Sequence, residues 1–291
     1  MIAKLRRTIT DEIVAAFGFS KLGWMRRLLA PVFWPPAHLF ARLCARIDEI
    51  ISEYGLPAGA RQLLPRFVEG VRISGKDQIP QEGPLLIASN HPGAYDALAI
   101  LSNLERKDVK IIVSDVPFLH SLPAASRQMI FTPAGAHSRM TAVREMIRHM
   151  QAGGAALIFP SGLVDPDPDI SPFSGVNLET WSPSLDLVVR KVPETRLLVS
   201  IVSGVLAPAC LRSPLTRLID EPWRKQKLAE FLQVIQQLTL GRTFNLRPRI
   251  TFGEPLTASE LISRGSGEDL HLAILANARQ VLDAHLSPTA A

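Results

Sequence analysis

The stretch LLIASNHPGAYDAL, residues 85–98, decides how this chain folds. Leu85, Leu86, Ile87 and Ala88 run without polar alternation, as a strand covered on both faces of a sheet does. Ser89, Asn90 and His91 end the run, Pro92-Gly93 makes a turn, and Asp96 stands where the first turn of a helix is expected. Strand, turn and helix in so short a stretch is the repeating unit of α/β domains.

The same texture recurs down the chain. Strand-like segments are VRISG (71–75), PLLIASN (84–90), VKIIVSD (109–115), QMIFTPAG (128–135), GAALIFPSG (154–162), RLLVSIVSGV (196–205) and RPRITFGEPL (247–256). Helical patterns lie between them at 94–104, 138–151, 184–192 and 222–240, and a last one spans 267–285. The fold class expected is α/β, a mostly parallel central sheet flanked by helices, over residues 67–291. Residues 1–66 form an N-terminal helical, basic and aromatic element. The stretch 163–182, rich in Pro, Asp and Ser, reads as a long loop of the kind that often carries function.

Composition narrows the classes. With 291 residues, 47% apolar and 20% charged, the chain buries a sizeable core and is not globally disordered. Cys44 and Cys210 are its two cysteines. Far apart and without CxxC spacing, they exclude a disulfide scaffold and a cysteine-rich zinc site, and a reducing cytosolic setting is the default.

The net charge of +5 is concentrated at the start. Residues 1–50 hold eight basic residues against four acidic ones, with arginines flanking a stretch that contains Trp24, Phe33, Trp34 and Phe40. The uncharged run from Leu28 to Ala41 is interrupted by Pro31, Pro35 and Pro36, too short and too broken for an ordinary transmembrane helix, which takes about 20 residues. No signal-peptide pattern is present. Two readings stay open: a helical pair packed on the main domain, and an interfacial element meeting a membrane surface through residues 20–51. Both hold if one face packs and another meets lipid. Nucleic acid is not an expected partner, because these aromatics cluster with aliphatic residues and not in a basic stacking groove.

Strand ends are where such sheets place their chemistry. His91 has an imidazole that titrates near neutrality, and a carboxylate on its far nitrogen fixes the tautomer. The Pro-Gly turn brings Asp96 back towards it. The structural alternative is that Asp96 answers the helix dipole while Asn90 and His91 satisfy loop backbone. Arg139 near a helix start is suited to grip a phosphate. His137 reads as local hydrogen bonding, and Arg144 and Arg148 as a solvated face. The sequence has no G-x-S-x-G elbow, H-E-x-x-H, P-loop or G-x-G-x-x-G. A histidine acting directly on a substrate hydroxyl is the simplest enzyme on offer.

These residues together resemble the glycerolipid acyltransferases, the family of lysophosphatidic acid and glycerol-3-phosphate acyltransferases. Its N-H-x-x-x-x-D block is similar to Asn90-His91-Pro92-Gly93-Ala94-Tyr95-Asp96. Its second block, ending in an arginine that opens a helix, resembles FTPAGAHSR with Arg139, and its F-P-E-G block resembles Phe159-Pro160-Ser161-Gly162. The likeness covers about residues 70–205. It implies that His91 deprotonates an acceptor hydroxyl, which attacks the thioester of an acyl-CoA or acyl-carrier protein, and that Asp96 orients His91. Asn90, Arg139, Phe159, Pro160, Ser161 and Gly162 then surround the substrate. It implies no cofactor and no metal: the acyl donor is a co-substrate, and the partners are that donor, a lysophospholipid or related lipid, and a membrane surface. The location implied is the cytoplasmic face of a membrane, peripheral or monotopic.

The chain departs from the pattern at Ser161, which replaces the family glutamate, and at Leu163-Val164-Asp165, which replace Thr-Arg-Ser. Ser200 or Ser203 stands where a fourth block has proline. Asp165, Asp167 and Asp169 lead one to expect an acidic loop that repels a phosphate and suits a zwitterionic or amine-bearing acceptor. Two other functions remain on the table. One is a lipid-binding relative without catalysis, and the other a hydrolase of acyl esters or thioesters.

Overall fold

The computed structural model describes residues 2–16, 23–133, 135–170, 177–217, 219–265 and 269–287. Within these it omits the side chains of 13–16, 23–30, 32 and 136–139. All seven expected strands form: β1 (Arg72–Ser74), β2 (Leu85–Ser89), β3 (Val109–Ser114), β4 (Met129–Thr132), β5 (Ala155–Ile158), β6 (Arg196–Ser203) and β7 (Arg249–Phe252). They make one sheet in the order β1-β7-β6-β2-β5-β3-β4. Every neighbouring pair is parallel except β6 and β7, so β1 and β7 together run against the other five.

The helices are α1 (Ile2–Ala16), α2 (Gly23–Tyr54), α3 (Leu56–Leu63), α4 (Asp96–Leu101), α5 (Pro123–Arg127) and α6 (Ala136–Gln151). After them come α7 (Ser184–Lys191), α8 (Pro208–Leu211), α9 (Pro214–Arg217), α10 (Pro222–Leu240), α11 (Ala258–Arg264) and α12 (Leu270–Leu286). The absence of alternation in LLIAS has the expected meaning. Leu85 and Ile87 enter the core on one sheet face, beneath α2, α3, α4 and α10. Leu86 and Ala88 enter the core on the other, beneath α6, α7 and α12.

The N-terminal region differs from the broken segment expected. Residues 23–54 form one helix that runs through Pro31, Pro35 and Pro36, about 48 Å long at 1.5 Å per residue. Each proline removes a donor and crowds the carbonyl four residues back. Tertiary packing offsets this: Ala37, Ala41, Cys44, Ile47 and Ile51 are buried in the same core as Ile87 and Leu157. Phe33 meets Phe231 edge-on with ring centroids 6.2 Å apart, and Phe40 meets Phe118 at 6.0 Å. The element is therefore packed against the same core, Leu5 and Ile9 of α1 included.

Two acids anchor it. The buried Asp48 carboxylate accepts hydrogen bonds from Ala124 N–H (3.0 Å) and Ala125 N–H (2.8 Å), capping the start of α5. Glu12 accepts one from Phe118 N–H at 3.0 Å. Among the described residues no helix is long and apolar enough to cross a membrane. Asp48→Ala leaves the two buried N–H groups without their acceptor and is expected to cost about 2–3 kcal/mol in urea unfolding. An unchanged midpoint would show that these bonds contribute nothing.

Candidate active site

The sheet order places β2 between β5 and β6, with Ala88 opposite both Ile158 and Val199. The residues that follow β2 and β5 thus emerge side by side, which brings His91 and Phe159 together from distant points of the sequence. Their rings stack with centroids 4.5 Å apart. Asn90, expected beside the substrate, is fully buried instead. Its amide donates to Val202 C=O (2.9 Å) and accepts from Val202 N–H (2.8 Å), extending the β2–β6 pairing by a side chain. Both polar ends meet the Val202 backbone, so Asn90 fixes where His91 begins.

The turn after His91 returns Asp96 to it as the spacing suggests. His91 Nδ1 lies 2.7 Å from Asp96 Oδ2, and the Asp96 side chain is 1% exposed against 31% for His91. The Asp96 carboxylate also accepts from Gly93 N–H (3.1 Å) and Ala97 N–H (2.5 Å). A carboxylate so buried needs such partners to offset its lost hydration. Nδ1 is committed to Asp96. Among the described residues no hydrogen bond reaches Nε2, which is the nitrogen left for a substrate.

The loop after β5 closes on the same turn. Asp165 N–H donates to His91 C=O (2.7 Å), while the Asp165 carboxylate accepts from His91 N–H (2.8 Å), a two-way clasp of the backbone. Ser161 Oγ donates to Leu163 C=O at 3.0 Å and also faces Asp165 Oδ2 at 3.4 Å. Ser161 therefore shapes the loop from within. Pro160 is buried, and its carbonyl accepts from Ser182 N–H at 3.0 Å. Gly162 is exposed in the left-handed region (φ +64°), with open space where a β-carbon would sit.

The expected acidic loop is not a cloud of free charge. Asp167 is buried and accepts from the N–H groups of Asp169, Gly204, Val205 and Leu206 at 2.9–3.3 Å. Asp169 pairs with Arg249 at 2.7 Å. These two carboxylates tie the loop to β6 and β7, leaving only Asp165 beside His91. Burial pushes Asp165 and Asp167 above the usual carboxylate range, against backbone N–H groups that draw them down. Arg139 lies in the first turn of α6, which follows β4 at the sheet edge, with β3 between β4 and β5. The Arg139 and His137 side chains are outside those described. Among the described residues, no group of His, Cys, Asp or Glu is arranged to hold a metal ion.

A further contributor was not expected from the motifs. α10 lays Gln226, Glu230, Gln233 and Gln237 along one face at spacings of four, three and four residues. Gln226 Nε2 donates to Pro92 C=O and to Asp165 C=O, both at 2.9 Å, bridging the two loops that carry His91 and Asp165. Gln233 bonds Ala207 N–H (2.6 Å) and Val205 C=O (2.9 Å). Gln237 receives the Tyr95 hydroxyl and donates to Phe67 C=O at 2.6 Å. Gln226, Glu230, Gln233 and Gln237 at helical period within the 222–240 pattern were the available signal.

An apolar cavity of about 380 Å³ opens beside the turn, at Ala94 and Tyr95. It runs between α2, α3 and β3, with Phe40, Leu98, Phe118 and Met129 among its walls. Its size falls in the usual range for ligand sites, and its lining offers almost no polar group.

The family model described as Acyltransferase matches residues 70–177. That segment contains His91, Asp96, Arg139 and the Phe159–Gly162 turn, the residues on which the resemblance to glycerolipid acyltransferases rests. Among solved structures the chain is similar to the 1-acyl-sn-glycerophosphate acyltransferase PlsC from Thermotoga maritima. The identity is 15% over 97% of this chain and 98% of that one, with a TM-score of 0.48. None of the curated proteins matches it.

Burial alone would lower the His91 pKa. The charge and hydrogen bond of Asp96, then the charges of Glu230 and Asp165, override it and lift the imidazole from 6.5 to about 9. A raised histidine stabilises the fold fully below its unfolded pKa of about 6.5, and that contribution is lost as pH rises through about 9. Wild-type stability should therefore decline between these limits relative to His91→Gln. Parallel urea-stability curves for the two proteins across that window would exclude a raised histidine.

Proposed function

We propose that the chain moves a fatty acyl group from a thioester donor, acyl-CoA or acyl-carrier protein, to a hydroxyl of a lysophospholipid or related lipid acceptor. One observation carries this reading: His91 Nδ1 is held by the buried Asp96 while Nε2 faces outward with no protein partner among the described residues. Nε2 is then placed to take the acceptor's hydroxyl proton as the oxygen attacks the thioester carbonyl. Asp96 holds the ring and stabilises the imidazolium. Collapse of the tetrahedral intermediate breaks the C–S bond, and the proton passes from His91 to the leaving thiolate. No redox step is involved.

The apolar cavity that begins at Ala94 suits an acyl chain whose carbonyl lies by His91, burying methylene groups at about 0.8 kcal/mol each. For the acceptor, Asp169 is neutralised by Arg249 and Asp167 is turned towards backbone N–H groups, so the loop presents less free charge against a phosphate than its sequence suggests. A phosphate-bearing lysolipid therefore fits as well as an amine-bearing one. Replacing His91 with Ala should lower acyl transfer by about 10²–10⁴-fold while the thermal transition is retained. Labelled acyl-CoA with a panel of lysolipids reads this out, and undiminished product would reject His91 as the base.

The membrane partner is proposed through α1 and α2. Trp34 is 47% exposed and Leu39 43%, with Ile2 also outward, and the Arg6 guanidinium lies 4.6 Å above the Trp34 ring. An aromatic and a cation at one spot suit the headgroup layer. Deleting residues 1–50 would strip core side chains such as Ala41 and Ile47, so the sharper test is Trp34→Ala with Leu39→Ala. This pair should weaken binding to anionic vesicles several-fold, as measured by co-sedimentation at low salt. Unchanged binding would place the contact elsewhere.

A further inference from the structure

Glu230 is a half-buried acid that no motif accounts for. It lies on α10, outside the matched segment, and packs against the turn between His91 and Asp96. A β-carbon built on Gly93 would stand 3.2 Å from Glu230 Oε1 and 3.3 Å from its carboxyl carbon. Gly93 is also the residue whose N–H donates to Asp96. Oε1 is sealed from solvent and has no hydrogen-bond partner among the described residues. One turn earlier on the same helix, Gln226 grips Pro92 and Asp165, so α10 is held against this turn and not merely near it. Leaving a carboxylate oxygen buried and unpaired is costly unless a nearby charge compensates.

We propose that Glu230 is a positioning residue of the active site: its carboxylate, packed on Gly93, joins Asp96 and Asp165 around His91 and sets the pH above which that histidine becomes a base. The proposal rests on the assignment of His91 as the base. The charged groups that bear on the pair come from three elements. They are Asp96 on α4, Asp165 on the loop after β5, and Lys227 beside Glu230 on α10.

The two groups act on each other in the sense the geometry requires. Burial raises Glu230 to about 7, and the charge of His91 opposes that rise. The Glu230 charge in turn helps raise His91 to about 9. The carboxylates around His91 thus favour its protonated ring. It gains basicity as pH rises through its own titration, and the Glu230 charge delays that gain. Neutralising Glu230 should bring it at lower pH.

The test compares the full-length wild type with Glu230→Gln, a near-isosteric change. Acyl transfer from an acyl-CoA to a lysophospholipid in mixed micelles is followed from pH 5 to 10, and the His91 ring resonances are titrated by NMR in the free protein. In the variant, the acid limb of kcat/KM and the His91 midpoint should both move down by about 0.5–1 pH unit. Below the wild-type limb the variant should be several-fold the faster enzyme. A uniform loss of activity with the His91 midpoint in place would overturn the proposal and leave Glu230 a packing residue. If neither protein transfers acyl groups, the acyltransfer reading fails while the NMR midpoint still decides the link between Glu230 and His91. Glu230→Asp and Glu230→Asn, matched in size, repeat the comparison if the Gln variant does not fold. The Asp variant should keep the wild-type midpoint and the Asn variant should not.

Discussion

A carboxylate taken out of water must be given partners, and Asp96 is the place in this fold where that demand is most severe. It is almost wholly buried, and it is answered by the His91 ring and by the N–H groups of Gly93 and Ala97. Those three donors dictate the course of the chain between residues 91 and 97. They commit Nδ1 inward and leave Nε2 without a protein partner among the described residues, so a requirement of electrostatics becomes the orientation of the His91 ring. The Pro92-Gly93 turn is the path by which the chain meets it.

Much of the remaining structure holds that turn in place. Asn90 pins its entrance to β6, and Asp165 clasps the His91 backbone from the loop after β5. Gln226 then ties Pro92 and Asp165 together from α10. Strands and helices distant in sequence converge because β2 lies between β5 and β6 at the middle of the sheet. β6 and α10 both fall outside residues 70–177, so the segment that carries the acyltransferase motifs is braced by chain beyond it. The cavity beneath α2 adds an apolar wall beside the turn at Ala94 and Tyr95.

What was legible in the sequence was what is encoded locally. Each strand announced itself by an apolar run ending in turn residues, and the His91–Asp96 contact followed from five residues of separation with a Pro-Gly turn between. The continuity of α2 was not legible, because propensity assigns a break to three prolines while packing of Ala37, Ala41 and Cys44 on the core decides otherwise. The aspartates of the 163–170 loop were misread for a similar reason. A run of acids looks solvated until the backbone N–H groups of residues 204–206 and the Arg249 side chain are seen to receive them. Asn90 belongs to a motif, and its bonds to the Val202 backbone depend on a strand more than a hundred residues away, which no local pattern reveals. The stripe on α10 had a readable period, but nothing local said that it would face His91.

The central claim is that His91 activates an acceptor hydroxyl rather than water. The most direct measurement is simultaneous quantification of thiol, acylated lipid and free fatty acid when the purified protein meets an acyl thioester with and without a lysolipid. The account predicts that thiol release depends on the lysolipid and that thiol and acylated lipid form in equal amounts. Thiol release matched by free fatty acid without an acceptor would make the protein a hydrolase, and lipid binding without thiol release would remove catalysis altogether.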